Sequence, residues 1–202
     1  MRILKGLNVF YQRFDKKSIV RKKILSDFNF IKDEKKLFIQ KKCIKFFEKC
    51  HQLNSVVIYS ATKFEIDTIK IFNYLIDRKV DVYFPKILKD NMSFDLVRDK
   101  QELIKGNFNI FEPTSNLKCK LEEIDYFLVP CLGLDKNYYR LGYGKGFYDK
   151  ALKNISSDKL VTMLPRKNIS SFSFAQIHDI KIGNVFTETE ENYNGYNWNI
   201  FL

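Results

Sequence analysis

Apolar residues recur at helical spacing through the first fifty positions and then switch to shorter, strand-like runs. In 15–29, DKKSIVRKKILSDFN, the residues Ile19, Ile24 and Leu25 suit one side of a helix, with Lys17 and Arg21 one turn apart on a shared face. Ile39, Cys43, Phe46, Phe47 and Cys50 form an apolar stripe that predicts a second helix from about 33 to 52. SVVIYSA, 55–61, is a β-branched run typical of a buried strand. EIDTIKIFNYLIDR, 65–78, returns to helical spacing, and VDVYFP, 80–85, reads as a strand ended by Pro85. Strand, helix and strand within about thirty residues make a βαβ unit, so the two strands are expected to be parallel, with a right-handed crossover.

Further along, MSFDLVR, 92–98, predicts a strand after a loop, and 100–105 a short helix. Residues 106–124 read as a long surface loop. DYFLVPCLGLD, 125–135, is the most apolar strand of the chain. A helix is expected over 146–154, and a strand in KLVTML, 159–164. No repeat or linker divides the sequence. The pattern predicts one α/β domain over 1–202, a three-layer α/β/α arrangement with a largely parallel or mixed central sheet.

Composition agrees with a single folded domain: 202 residues with a hydrophobic fraction of 45% can build a sizeable core. No apolar run reaches the roughly 18–20 residues of a membrane helix. The N-terminal MRILKGLNVFYQRF is too interrupted by polar residues for a signal peptide, so a cytoplasmic protein is expected. The four cysteines show no metal-ligand spacing. The formal charge is +11, and Lys outnumbers Arg 28 to 7. Such a Lys-rich excess suits a solvated surface, a nucleic acid or a multiply charged small molecule, and charge alone does not choose among them.

The chemistry concentrates in RLGYGKGFYDK, 140–150, which holds three of the eight glycines. It follows a buried strand and precedes a predicted helix, where open α/β sheets place ligands. Glycines let backbone N–H groups approach an anion, a helix start adds partial positive charge, and Arg140 and Lys145 add full charges. The spacing matches neither the P-loop nor the dinucleotide fingerprint. A tight strand-to-helix turn would use glycine too. Asp149, just after the basic loop, favours the phosphate reading, because Mg²⁺ bound to phosphates takes few protein oxygens.

The string R-L-G-Y-G-K-G-F-Y-D resembles the signature of the 5-formyltetrahydrofolate cyclo-ligase family, also called 5,10-methenyltetrahydrofolate synthetases. VPCLGLD at 129–135 is similar to the strand end that precedes that signature. Lys17 and Arg21 fit a K-x-x-x-R helix start, and EIDT, 65–68, fits a Glu-Ile-x-Thr stretch. FP at 84–85, Met92, the E-P that ends NFNIFEP at 107–113, and the pair His178-Asp179 follow in the family's order. The resemblance runs from about 15 to 187.

The resemblance implies an enzyme that turns 5-formyltetrahydrofolate and MgATP into 5,10-methenyltetrahydrofolate, ADP and phosphate. The γ-phosphoryl would activate the formamide oxygen as an N5 iminium phosphate, which N10 then attacks. It further implies that Lys17, Arg21, Arg140, Leu141, Gly142, Tyr143, Gly144, Lys145, Gly146, Phe147 and Tyr148 bind ATP. Arg140 and Lys145 would act in catalysis, mainly by electrostatic positioning. Tyr59, Ser60, Glu65, Phe108, Tyr143, Phe147 and Tyr148 would line the folate pocket, and Asp149 and Asp179 would hold Mg²⁺. The expected partners are small molecules, ATP and a folate that can carry a polyglutamate tail, acting on a monomer without nucleic acid or membrane.

The chain departs from the family pattern in four places. Cys131 and Leu134 replace a usual Gly and Phe, MLPRKN at 163–168 replaces a stretch that commonly ends in Gln, and Gly183-Asn184 stand where a second acidic residue is frequent. The last two departures put the C-terminal side of the nucleotide or metal site in question. They also keep open a relative that binds nucleotide or folate without catalysis. A basic nucleic-acid-binding protein is the other reading, but its cations would form a stripe with exposed aromatics, and here they are dispersed.

Overall fold

The computed structural model describes residues 16–27, 31–106 and 110–189, together with the backbone of 193–194. Phe108, expected in the folate pocket, lies outside the described residues.

The helical stripes form as expected. Helix α1 spans Lys16–Asp27 and α2 spans Asp33–Glu48. Helix α2 buries Ile39, Cys43, Phe46 and Phe47, and its cap at Lys49 ends it before His51. Strand β1 (Ser55–Val57), helix α3 (Ile69–Asp77) and strand β2 (Asp81–Leu88) make the βαβ unit. Its strands are parallel, with Ser55 opposite Asp81. Helix α3 starts four residues later than the apolar spacing suggests. Thr68 precedes it, and its hydroxyl donates to the Tyr59 carbonyl at 2.8 Å instead of capping the helix.

Pro85 does not end β2. The strand continues to Leu88 and turns at Lys89 into β3 (Asn91–Val97), pairing antiparallel with Pro85 opposite Phe94. Strand β1 stops pairing with β2 at Tyr83, so the proline lies beyond the parallel ladder and costs it no hydrogen bond. The expected helix at 100–105 is only a 3₁₀ turn, Lys100–Glu102, followed by β4 (Leu103–Lys105). The expected long loop holds β5 (Phe111–Pro113), which pairs antiparallel with β4.

The apolar run 125–135 is not one strand. Strand β6 covers Tyr126–Leu128, and β7 (Gly133–Leu134) belongs to a small separate hairpin with β8 (Arg140–Leu141). Pro130 lacks an N–H and marks the break. Helix α4 is short, Phe147–Ala151. Strands β9 (Leu160–Met163), β10 (Asn184–Phe186) and β11 (Tyr193–Asn194) complete the main sheet. Its order is β11-β10-β9-β6-β1-β2-β3. The five strands from β10 to β2 are parallel, and β11 and β3 are antiparallel edges.

Side-chain alternation along β6 defines the layers. Tyr126 turns toward α2, where its ring meets Phe46 at 5.0 Å. Phe127 turns the other way, to Phe94, and Phe94 meets Tyr148 of α4. Helix α2 also packs against α3, and Phe72 of α3 meets Phe84 of β2. Helices α2 and α3 therefore cover one face of the sheet and α4 the other. The expected three-layer α/β/α fold is what forms. Chain order runs outward from β1 in both directions, through β2 and β3 on one side and β6, β9 and β10 on the other. The β1–β6 boundary is thus the topological switch point, and the crevice at its carboxyl end is a natural ligand position. No helix of the described residues is long and apolar enough to cross a membrane.

Phe47 is fully buried between Phe46 and Tyr126. Phe47→Ala should destabilise the fold by about 3–5 kcal/mol, the usual cost of a cavity left by a core phenylalanine. Urea unfolding of the two proteins checks this; a loss below about 1 kcal/mol would mean that α2 packs only loosely on the sheet.

Candidate active site

Two cavities open at the switch point, and the glycine stretch is the wall between them. The first, about 250 Å³, lies among Ser60 after β1, Pro85 and Ile87 of β2, Met92 of β3 and Pro130 after β6. The second, about 210 Å³, is bounded by Lys17 and Arg21 of α1 and by Gln176, His178 and Asp179. Arg140, Gly142, Gly144, Gly146 and Asp149 line both.

Backbone geometry explains the glycines. Gly144 has φ +95°, a conformation that side-chain-bearing residues rarely adopt. A Cβ at Gly142 would sit 2.5–2.8 Å from the Arg140 guanidinium, so the wall is thin where the arginine passes behind it. Helix α4 is barely more than one turn, so its dipole adds less than the sequence suggests.

Arg140 is only 5% exposed. Its Nε donates to the Pro130 carbonyl at 2.6 Å, its Nη1 donates to Asp149 Oδ2 at 3.0 Å, and its guanidinium lies 5.2 Å from the Tyr148 ring centroid. A second buried ion pair crosses the other cavity. Lys17 Nζ donates to both oxygens of Asp179, at 2.5 and 2.6 Å, and to Gln176 Oε1 at 3.4 Å. Arg21 Nε donates to the Gly142 carbonyl at 2.8 Å and ties α1 to the wall.

The first cavity is mostly apolar, with one buried acid. Glu65 Oε2 accepts from the Thr62 N–H at 2.8 Å, and Oε1 has no partner among the described residues. Burial pushes the Glu65 carboxyl up, against the Thr62 hydrogen bonds and the Arg140 charge that pull it down. Burial likewise raises the hydroxyls of Tyr143 and Tyr148, so both stay protonated donors. Tyr143 and Thr62 share a 2.6 Å hydrogen bond across the cavity mouth, and Ser60 Oγ accepts from the Phe111 N–H at 2.8 Å.

Most of the residues expected at the site are brought together, though not all on the side expected. Lys17, Arg21 and Leu141 face the second cavity. Tyr143, Phe147 and Tyr148, expected around both ATP and folate, face the first, and so does Lys145, expected around ATP. Tyr59 lines neither: its ring is in the core and its hydroxyl donates to the Ile66 carbonyl at 2.7 Å, while Ser60, next in the chain, lines the first cavity. Thr62 and Gln176 line the cavities although nothing local in the sequence marks them, and His178, matched only as half of the His178-Asp179 pair, lines the second cavity beside Asp179. The departures at 163–168 and 183–184 line neither cavity. Asn168 instead donates to the Leu132 carbonyl, and Asn184 to the Asp158 carbonyl. Cys131, at the usual glycine position, is buried, and its thiol is pushed up to about 11, so it is no activated nucleophile.

Asp149 and Asp179 both face the second cavity, and the Ile180 N–H donates to Asp149 Oδ1 at 3.4 Å, so adjoining segments carry them. Among the described residues no group of three or more metal-ligating side chains occurs. Two carboxylates without a protein cage suit a hard cation that keeps waters and phosphate oxygens as its other ligands.

The profile of the 5-formyltetrahydrofolate cyclo-ligase family matches residues 13–187. The chain belongs to this family. The cyclo-ligase of Mycoplasma pneumoniae is 29% identical over 119 residues, 58% of this chain and 63% of that protein. The cyclo-ligase of Haemophilus influenzae is 30% identical over 108 residues, 51% and 58% of the two chains. The matched stretches therefore span less than two thirds of either relative. The solved 5,10-methenyltetrahydrofolate synthetase of Aquifex aeolicus superposes with a TM-score of 0.76 at 25% identity, covering 90% of this chain and 93% of its own. That of Mycoplasma pneumoniae superposes with a TM-score of 0.70 at 21% identity, covering 86% and 99%. The fold of these two synthetases is the fold of this chain.

Because Glu65 is raised in the folded state, its neutral form favours folding. That contribution is complete below the ordinary glutamate range and is lost as pH rises through the raised value. The thermal midpoint of the wild type relative to Glu65→Gln should therefore climb as pH falls from about 8 to about 4. A difference that stays constant across this range would show Glu65 to titrate as it does in the unfolded chain.

Proposed function

We propose that this protein catalyses the ATP-dependent cyclisation of 5-formyltetrahydrofolate to 5,10-methenyltetrahydrofolate, with release of ADP and phosphate. One observation carries the reading: a single glycine wall separates an apolar cavity with a buried, half-satisfied carboxylate from a cavity crossed by two buried ion pairs. A phosphoryl group moving between two substrates needs such neighbouring compartments, which hold the reactants in line and keep water out.

In this reading the folate occupies the first cavity. The unpartnered Oε1 of Glu65 accepts from the donor edge of the pterin ring, which relieves the orphaned oxygen. Tyr148 and Phe147 flank the ring, and Tyr143 closes over it through Thr62. The triphosphate occupies the second cavity. Lys17, Arg21 and Arg140 give the phosphates charge-assisted hydrogen bonds. Lys145, on the folate side of the wall, meets the phosphoryl group as it arrives at the formyl oxygen. N10 then attacks the activated carbon, the ring closes, and phosphate leaves as N10 gives up its proton, which the departing phosphate can take. The site offers no evident general base, so its contribution is positioning and charge stabilisation.

Asp149 and Asp179 would hold Mg²⁺, which when bound offsets charge on the phosphate oxygens. Before ligand binds, each carboxylate already neutralises a cation, Arg140 or Lys17. Arrival of the nucleotide lets these cations turn to phosphate and frees the carboxylates. Buried charges thereby exchange partners and are never left bare.

The test mixes protein, 5-formyltetrahydrofolate, ATP and Mg²⁺ and follows the near-ultraviolet absorbance of the methenyl product. Absorbance should rise only with both ATP and Mg²⁺, and Asp149→Asn should slow it by about 10²-fold or more while circular dichroism stays native. A flat trace from folded protein that still binds ATP would replace catalysis with nucleotide binding alone. A flat trace without nucleotide binding would remove the reading altogether.

A further inference from the structure

Asp135 is a fully buried carboxylate that lines neither cavity. Its two oxygens serve two different segments. Oδ1 accepts from the N–H groups of Asn137 at 2.8 Å and Tyr139 at 3.0 Å, which folds the turn joining β7 to β8. The turn forces Tyr138 to φ +67°, a conformation a tyrosine adopts only when its surroundings impose it. Oδ2 accepts from Ser173 Oγ at 2.8 Å and the Phe174 N–H at 3.3 Å. Ser173 and Phe174 begin the segment that continues through Gln176 to Asp179.

The hairpin is joined to that segment a second time beyond Asp179. The Arg140 N–H donates to the Ile180 carbonyl at 3.0 Å, and the Ile182 N–H donates to the Tyr138 carbonyl at 2.9 Å. Residues 173–182 are thus fastened to the hairpin at both ends, by Asp135 at one and by the edge of β8 at the other. Arg140 is the residue at which the hairpin enters the wall, and Asp179 lies in the span between the fastenings.

We propose that Asp135 is a positioning residue for the second cavity, holding the Arg140 side and the Asp179 side at a fixed separation. The inference rests on the reading that this cavity takes the nucleotide. Burial alone would push this carboxyl up, but the hydrogen bonds from Tyr139, Ser173, Asn137 and Phe174 outweigh it and hold the group below the usual range. At neutral pH it is therefore ionised and accepts all of these bonds. In Asp135→Asn one oxygen becomes an NH₂ donor. Whichever way the amide turns, it faces a backbone N–H that it cannot satisfy.

Two measurements on the full chain test this. The first is amide hydrogen exchange without ligand. In Asp135→Asn, exchange at Arg140 and Ile182 should accelerate about tenfold, the scale of one lost hydrogen bond to a charged group, while Ile58 and Val129 in the main sheet keep their protection. The second is calorimetric titration of Asp135→Asn with MgATP and, separately, with 5-formyltetrahydrofolate. Affinity for MgATP should fall about tenfold and that for the folate by less than about twofold. Equal losses of both affinities, or faster exchange across the whole sheet, would reduce Asp135 to a purely structural residue and overturn the proposal. Unchanged exchange at Arg140 and Ile182 would overturn it equally. If Asp135→Asn does not fold, Ser173→Ala removes one donor from the same carboxylate and should give the same split at about threefold. If the wild type binds no MgATP, the nucleotide reading fails, and the exchange measurement still decides whether Asp135 fixes the two walls.

Discussion

A guanidinium taken out of water is costly unless its donors find acceptors, and Arg140 is buried at the centre of this fold. Its Nε is held by the Pro130 carbonyl at the end of β6, its Nη1 by Asp149 of α4, and its face by the Tyr148 ring. These contacts fix three things together: where the chain leaves the sheet, how α4 sits on it, and which way the glycine wall faces. Gly142 must be a glycine because the guanidinium passes directly behind it. Removing the Asp149 carboxylate would leave a buried cation short of an acceptor, so a residue proposed to hold the metal also serves the architecture.

The sheet topology does the remaining placement. Because the chain winds outward from β1 in both directions, the carboxyl ends of β1 and β6 splay at the switch point and leave a crevice. Ser60 and Pro130 sit on its two lips. The β2–β3 hairpin extends past β1 and supplies Pro85, Ile87 and Met92 as an apolar floor. Helix α1 lies apart from the sheet and brings Lys17 and Arg21 to the far side of the wall.

What could be read from the sequence was whatever is contiguous. The glycines, cations and carboxylate of 140–149 form one string, and the stripes of α2 and α3 repeat over several turns, so periodicity and motif carry them. What could not be read depends on contacts far apart in the chain. The run 125–135 is apolar throughout, yet it divides because β6 enters the sheet and β7 turns back to pair with β8. Strand β10 is three residues among polar neighbours, too short to show a period. Glu65 reads as the first residue of a helix. Spacing alone does not make it a cavity residue; the family resemblance does, and in the structure it lines the first cavity ahead of α3. The glycine loop gives Lys145 to one cavity and Leu141 to the other, and its left-handed turns at Gly144 and Gly146 are backbone features that composition does not reveal.

A wall shared by two cavities has a thermodynamic consequence. Gly142, Gly144 and Gly146 cannot adjust to an occupant on one face without changing the surface offered on the other. If each cavity takes its proposed ligand, the two binding equilibria are linked, and linkage is reciprocal: whatever factor one ligand imposes on the affinity of its neighbour, the neighbour returns in full. On the proposed reading, a thin partition of glycine would make each compartment a sensor of the other's occupancy.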